Sequence, residues 1–205
     1  MTMRRKWAVF PGLLALAASA VVLSAYSGAS TPEGRSPVQP IRFPHPRHAG
    51  PIDAQRPGNG GLGMSCVYCH FAANKSPDPG LPAVQTCMGC HQIIGAGGQL
   101  MPLPGRPARP SPELKKLAGY WNAANPAQSK PIPWVRIHKV PEYVHFPHMR
   151  HVNAGVSCQD CHGQVQQMAQ VYQASSLNMG WCINCHIGNY KREYRARYDC
   201  SVCHY

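Results

Sequence analysis

Cys66-Val67-Tyr68-Cys69-His70 sets a pattern that the chain writes four more times, as Cys87-Met88-Gly89-Cys90-His91, Cys158-Gln159-Asp160-Cys161-His162, Cys182-Ile183-Asn184-Cys185-His186 and Cys200-Ser201-Val202-Cys203-His204. The five copies of Cys-x-x-Cys-His use all ten cysteines. On one turn of helix, positions i, i+3 and i+4 share a face. Two thiols so placed reach the two vinyl groups of one porphyrin while the next imidazole ligates its iron. This is the attachment signature of a c-type haem. The spacing therefore predicts five covalently attached haem c groups. His70, His91, His162, His186 and His204 are their proximal ligands.

Two other uses of paired cysteines fail on counting. Structural zinc sites take Cys-x-x-Cys knuckles in pairs or add spaced histidines, and five knuckles leave one without a mate. A disulfide framework suits an exported chain with an even cysteine number, yet nothing in it places a histidine after every pair.

The rest of the composition agrees with a haem-built interior. Among 205 residues there are 21 prolines, 19 glycines and only four phenylalanines, poor material for an ordinary apolar core. The expected fold class is a multihaem cytochrome c: mostly irregular, with short α-helices packed on haems, one N-terminal transmembrane helix and little or no β-structure. A formal net charge of +12 resembles a nucleic-acid signal, but two propionates per haem offset about ten of those charges. No aromatic-plus-basic recognition module is present, so a nucleic-acid role is excluded.

Arg4, Arg5 and Lys6 precede an uncharged, mostly apolar run of 20 residues, Trp7 to Tyr26. At 1.5 Å per residue the run spans about 30 Å, the hydrocarbon thickness of a bilayer. Residues 1–27 read as a membrane anchor, an uncleaved signal anchor whose basic flank stays cytoplasmic while the haem domain lies on the periplasmic, extracytoplasmic side. Residues 28–40 form a small-residue and proline-rich linker. Beyond it the chain repeats itself: Phe43-Pro44-His45-Pro46-Arg47-His48 returns as Phe146-Pro147-His148-Met149-Arg150-His151, and Gly63-Met64-Ser65-Cys66 as Gly155-Val156-Ser157-Cys158. Such repeats mark duplicated units. Residues 41–95 are a first two-haem module, and 138–205 a second module carrying three haems. Between them, 96–137 is a Pro/Gly-rich insert with one helix, capped by Ser111, with Pro112 in its first turn and Leu114 and Leu117 on one face.

Six of the eleven histidines remain for the distal positions: His45, His48, His138, His145, His148 and His151. Four lie in the repeated Phe-Pro-His-x-x-His units. Pro44 and Pro46 are expected to prevent a regular helix through the first unit, letting its two imidazoles point at different irons. His45 and His48 suffice for the first module. His148 and His151 leave one iron of the second module to His138 or His145, and His138 is the choice, because Arg42 holds the place of His145 in the first repeat. Met168 and Met179 are alternative thioether ligands, although a methionine beside a motif more often packs on porphyrin. Paired imidazoles give lower potentials than a histidine–methionine pair.

The stretch from Ile132-Pro133-Trp134-Val135-Arg136-Ile137-His138 to Leu177-Asn178-Met179-Gly180-Trp181-Cys182, together with the anchor, all five motifs and both histidine units, resembles the pentahaem cytochrome c subunit of alternative complex III. That complex is a quinol:electron-acceptor oxidoreductase. The resemblance covers nearly the whole chain. It implies a subunit that carries electrons and leaves quinol oxidation to others: an iron–sulfur subunit, polytopic quinol-binding subunits and a monohaem cytochrome c. It also implies an aromatic residue at the position of His145, which favours His138 as ligand. Small class III multihaem cytochromes share the histidine-unit style without the anchor, and anchored tetrahaem quinol dehydrogenases share the anchor without this repeat.

Three functions are thus in view: an electron-transfer subunit of a respiratory or photosynthetic quinol-oxidising complex serving a periplasmic acceptor, a freestanding anchored quinol dehydrogenase feeding soluble reductases, and a multihaem oxyanion reductase. The last needs an iron with an open distal side. Six spare histidines and the lack of close-spaced acid pairs argue against it, so no catalytic residue is assigned.

Overall fold

The computed structural model describes residues 14, 16–19, 31–55, 60–95, 98–100 and 109–205. Most of the run Trp7 to Tyr26 lies outside the described residues, and with it the expected anchor. No helix among the described residues is long and apolar enough to cross a membrane.

Regular structure is sparse and organised around the motifs. α1 is His45–His48, α2 Cys66–Cys69, α3 Val84–His91, α4 Pro112–Ala118, α5 His148–Asn153, α6 Cys158–His162, α7 Met179–His186 and α8 Cys200–Cys203. One two-residue antiparallel pair, β1 (Gln99–Leu100) with β2 (Arg109–Pro110), is the strand content of the described residues. All five attachment motifs therefore start on helical turns, and the described residues are mostly irregular, with short helices and little strand.

Short polar side chains begin several of these turns by accepting backbone N–H groups that have no partner in a helix's first turn. Ser111 Oγ accepts from Leu114 N at 3.3 Å, with Pro112 opening α4. Asn178 Oδ1 accepts from Trp181 N at 2.8 Å at the start of α7. Ser157 and Asp160 form a reciprocal capping box on α6.

The prolines of the first histidine unit behave differently from the sequence expectation. Pro44 is the N-cap of α1 and Pro46 lies in its first turn. Proline lacks only an N–H that this turn would leave unbonded, so here it starts a helical turn rather than preventing one. His45 and His48 are three apart on that single turn, both against Phe43: His45 edge-on at 4.7 Å between ring centroids, His48 stacked at 4.4 Å.

The duplication seen in sequence is also a duplication of backbone. Met64 N donates to His48 O at 3.0 Å, and Val156 N donates to His151 O at 3.1 Å. Gly63 and Gly155 reach these equivalent bonds through φ of +63° and +84°, a region that costs a side chain but not glycine.

The chain forms two compact units. One comprises Glu33–Ile137 and Pro147–Ser175, and so holds motifs one, two and three with His45, His48, His148 and His151. The other comprises Met1–Pro32, His138–Phe146 and Ser176–Tyr205, with motifs four and five, His138 and His145. In the first, Ile41, Val84, Met88, Leu117 and Ile132 form a small apolar core between α3 and α4, flanked by Leu114, Trp121 and Trp134. Residues 34–39, within the proline-rich segment, are strapped into this unit: Gly34 N donates to Gln173 O (2.8 Å), Gln173 N to Arg35 O (3.0 Å) and Gln39 Nε2 to Val135 O (2.8 Å). Gln173 is fully buried by this strap. In the other unit Thr31 N donates to Lys139 O at 3.2 Å, and His145 N to Cys203 O at 2.9 Å.

Candidate haem-binding sites

The five motif helices place paired thiols and an imidazole together in each case, and all ten cysteines are free thiols. Burial pushes the thiols of Cys69, Cys87, Cys158 and Cys182 above the usual range, and neighbouring thiols add to the shift. The neighbours reveal which motifs adjoin. Cys69 feels Cys90 and Cys87 feels Cys69, joining motifs one and two. Cys158 feels Cys66, joining motifs one and three. In the other unit Cys182 feels Cys203, joining motifs four and five.

The histidines are prepared as ligands by their backbones. Nδ1 of His91 bonds Ile94 O (2.7 Å), that of His204 bonds Tyr143 O (3.0 Å), and that of His186 bonds Arg197 O. Among the candidate distal residues, Nδ1 of His48 bonds Pro44 O (3.1 Å), that of His151 bonds Pro147 O (3.1 Å), and that of His148 lies 3.4 Å from Pro77 O. A carbonyl can only accept, so the bonded Nδ1 carries the hydrogen and Nε2 keeps the lone pair a metal needs. His70 is held by the backbone of Gly80. Burial, helped by the charges of His70 and His48, pulls the pKa of His45 down to about 4, leaving it a neutral imidazole. Its Nδ1 is buried without a hydrogen-bond partner.

The ring separations meet a further requirement. Two imidazoles bonded to one metal at about 2 Å, with about 1.1 Å from nitrogen to ring centre, stand roughly 6 Å apart between centroids. His48 and His91 are 6.1 Å apart, and His148 and His162 are 6.4 Å apart. His45 lies close enough to His70 for the charge of one to act on the other. These residues fit a haem: thiols to anchor it, a proximal imidazole held in one tautomer, and a second imidazole at the right separation. Apolar side chains exposed beside the motifs, among them Tyr68, Phe71, Ile93 and Ile94, supply surface for a porphyrin face. When bound, each haem supplies one reversible single-electron iron centre, and the protein sets its ligation and exposure.

The remaining candidates separate by their surroundings. His151 repeats the backbone bonding of His48. Nε2 of His138 is buried. The His145 ring is stacked on Tyr205 at 4.4 Å. The irregular segment before it also carries the Tyr143 carbonyl, which accepts from Nδ1 of His204. Met168 is buried, and its methyl group lies 2.9 Å from where a Cβ on Gly163 would stand. It lies beside Gly163, the residue that follows motif three. Met179 is 64% exposed in the first turn of α7.

The orienting carbonyls of Pro44, Pro77, Ile94, Tyr143, Pro147 and Arg197 escaped the sequence reading. Main-chain acceptors leave no residue-type signal. Only Pro44 and Pro147, each four residues before the second histidine of a repeated unit, carried a hint.

Comparison with known proteins agrees with this reading. Residues 144–205, holding motifs three to five, match the family model described as cytochrome c7 and related cytochrome c. The chain is 24% identical, over 81% of its length and 76% of the relative's, to the multihaem cytochrome c subunit of menaquinone reductase from Nitratidesulfovibrio vulgaris (strain Hildenborough). The five motifs, the match over residues 144–205 and the likeness to a multihaem subunit together support a multihaem c-type cytochrome with covalently bound haem.

Proposed function

We propose that the protein is a pentahaem electron-transfer subunit of a membrane complex that oxidises quinol and passes the electrons to a periplasmic acceptor. The observation that carries the reading is the pairing of proximal with distal imidazoles at iron-bridging separations, His48 with His91 and His148 with His162. An iron held between two imidazoles has no place for a substrate and can only exchange electrons. The proposed ligand set adds His45 for motif one and His138 for an iron of the other unit, with His151 as the further candidate. The thiol neighbourhoods support a wire running through motifs two, one and three in one unit and through motifs four and five in the other. The charge of His70 acts on both His45 and His148, which supports motif one as the middle of its three.

The catalytic quinol site belongs, on this proposal, to polytopic partner subunits, with an iron–sulfur subunit and a monohaem cytochrome c completing the complex. The protein is single-pass, anchored by residues 1–27 with its haem domain outside the cytoplasm. The menaquinone reductase relative supports membership of a quinone-linked complex. It also favours a second reading, in which electrons run the other way, towards quinone.

Gentle-detergent purification followed by intact-mass analysis tests composition and topology together. The matured chain is expected to carry five haems and to include residues 1–26, apart from loss of Met1, and to bring quinone-binding subunits with it. A haem-to-polypeptide ratio of four or fewer overturns the pentahaem proposal, and a mature N-terminus near Ser30 overturns the anchor. Isolation without partner subunits points to a freestanding quinol dehydrogenase.

A further inference from the structure

We propose that the exposed basic loop from Tyr190 to Tyr198, in the unit carrying motifs four and five, is a docking surface for an acidic single-electron redox protein. The inference rests on the electron-carrier reading above and adds where exchange takes place and with what charge. The loop holds Lys191, Arg192, Arg195 and Arg197 against one acid, Glu193. The next acid, Asp199, is engaged by Arg197 at 2.9 Å and by Ser201 Oγ at 2.6 Å. Arg192, Arg195 and Arg197 are exposed.

One of the cations sits on an aromatic platform. Tyr190 and Tyr194 stack with centroids 6.4 Å apart, and the Lys191 ammonium lies 5.5 and 4.8 Å from their ring centres. Tyr190 and Tyr198 are more than half exposed. Tyrosine and arginine are the side chains enriched at protein interfaces, where stiff amphipathic area is gained at low entropic cost. A cationic patch steers an anionic partner and raises its encounter rate.

The loop is also wired to a haem ligand. Ala196 N donates to His186 O at 2.8 Å, and Nδ1 of His186 donates to Arg197 O. The surface is thus one hydrogen bond from the proximal imidazole of motif four. It meets that imidazole on its Nδ1 side, through the main-chain carbonyl of Arg197. In the exchange one electron passes between the cytochrome and the partner's metal centre. No bond is made or broken and no proton moves.

The test uses the full-length holoprotein with two probe proteins: plant plastocyanin, an acidic copper protein, and mitochondrial cytochrome c, a basic haem protein. The double variant Arg192→Glu/Arg195→Glu is expected to weaken calorimetric binding of copper(I) plastocyanin by about tenfold or more at low ionic strength, because close charge pairs couple strongly across interfaces. Stopped-flow oxidation of the reduced holoprotein by copper(II) plastocyanin should slow by a similar factor, while oxidation by cytochrome c does not slow. Unchanged plastocyanin binding, or equal slowing with both probes, overturns the proposal. So does a variant that loses binding to phosphatidylglycerol vesicles but keeps its plastocyanin affinity, since the loop would then face lipid. The haem-to-polypeptide ratio, measured on the same samples, reports separately on the carrier reading.

Discussion

Replacing Cys66 and Cys69 together with serine is expected to remove more than one haem from this protein. Motif one is the middle of its unit: its thiols adjoin those of motif two on one side and of motif three on the other. Little else could hold the unit together. Its buried hydrophobic residues are Ile41, Val84, Met88, Leu117, Ile132 and Met168 among those described, and five of the six cluster between α3 and α4. Truncating one buried Phe or Trp costs about 3–5 kcal/mol, and a porphyrin presents more apolar area than an indole. The loss therefore matches a sizeable part of the roughly 5–15 kcal/mol that separates a typical domain from its unfolded chain. Haem-stained gels and intact mass after expression with haem-attachment machinery should show little full-length chain, and what survives should melt well below the wild type. Wild-type yield of a four-haem chain with unchanged thermal unfolding would mean that the first haem is peripheral.

The second large effect is spectroscopic. His48→Ala should convert one haem from low-spin to high-spin and let carbon monoxide bind to the reduced protein, because His48 is the imidazole facing His91 at 6.1 Å. His138→Ala should do the same for one haem of the other unit, whereas His145→Ala should leave all five low-spin. The His145 ring packs on Tyr205, and the neighbouring Tyr143 carbonyl holds the far side of the His204 imidazole. Opening of a haem in the His145 variant but not in the His138 variant would reverse the ligand assignment while leaving the wire intact. In each variant the altered iron should also shift in potential, since axial ligands command a span of roughly 0.8 V.

What could be read from sequence divides along physical lines. The attachment motifs, their helical turns and the Ser111 cap of α4 depend on spacings of three or four residues, and such local geometry is written in residue types. The duplicated histidine units were legible for the same reason, down to Gly63 and Gly155. The strap of residues 34–39 was not. It joins Ser36 to Val171, 135 residues away, through a hydroxyl on a main-chain carbonyl, and nearly all of its other bonds also end on main-chain carbonyls. The grouping of motif three with motifs one and two escaped for a related reason: a sequence repeat records duplication, whereas a compact unit follows contacts such as Cys66 with Cys158 that no repeat announces. The effect of Pro44 and Pro46 was misjudged because a proline that breaks a helix interior is well suited to a first turn. The orienting carbonyls behind the imidazoles were invisible for the simplest reason, that every residue has one.

Spin-quantified electron paramagnetic resonance of the fully oxidised, full-length protein tests the central claim most directly. If five irons are each held between two imidazoles, the spectrum integrates to low-spin ferric haem alone, with no substantial high-spin signal. A stoichiometric high-spin haem in the wild type would show an iron with an open side, contradict the wire, and favour a haem that performs chemistry on a small substrate.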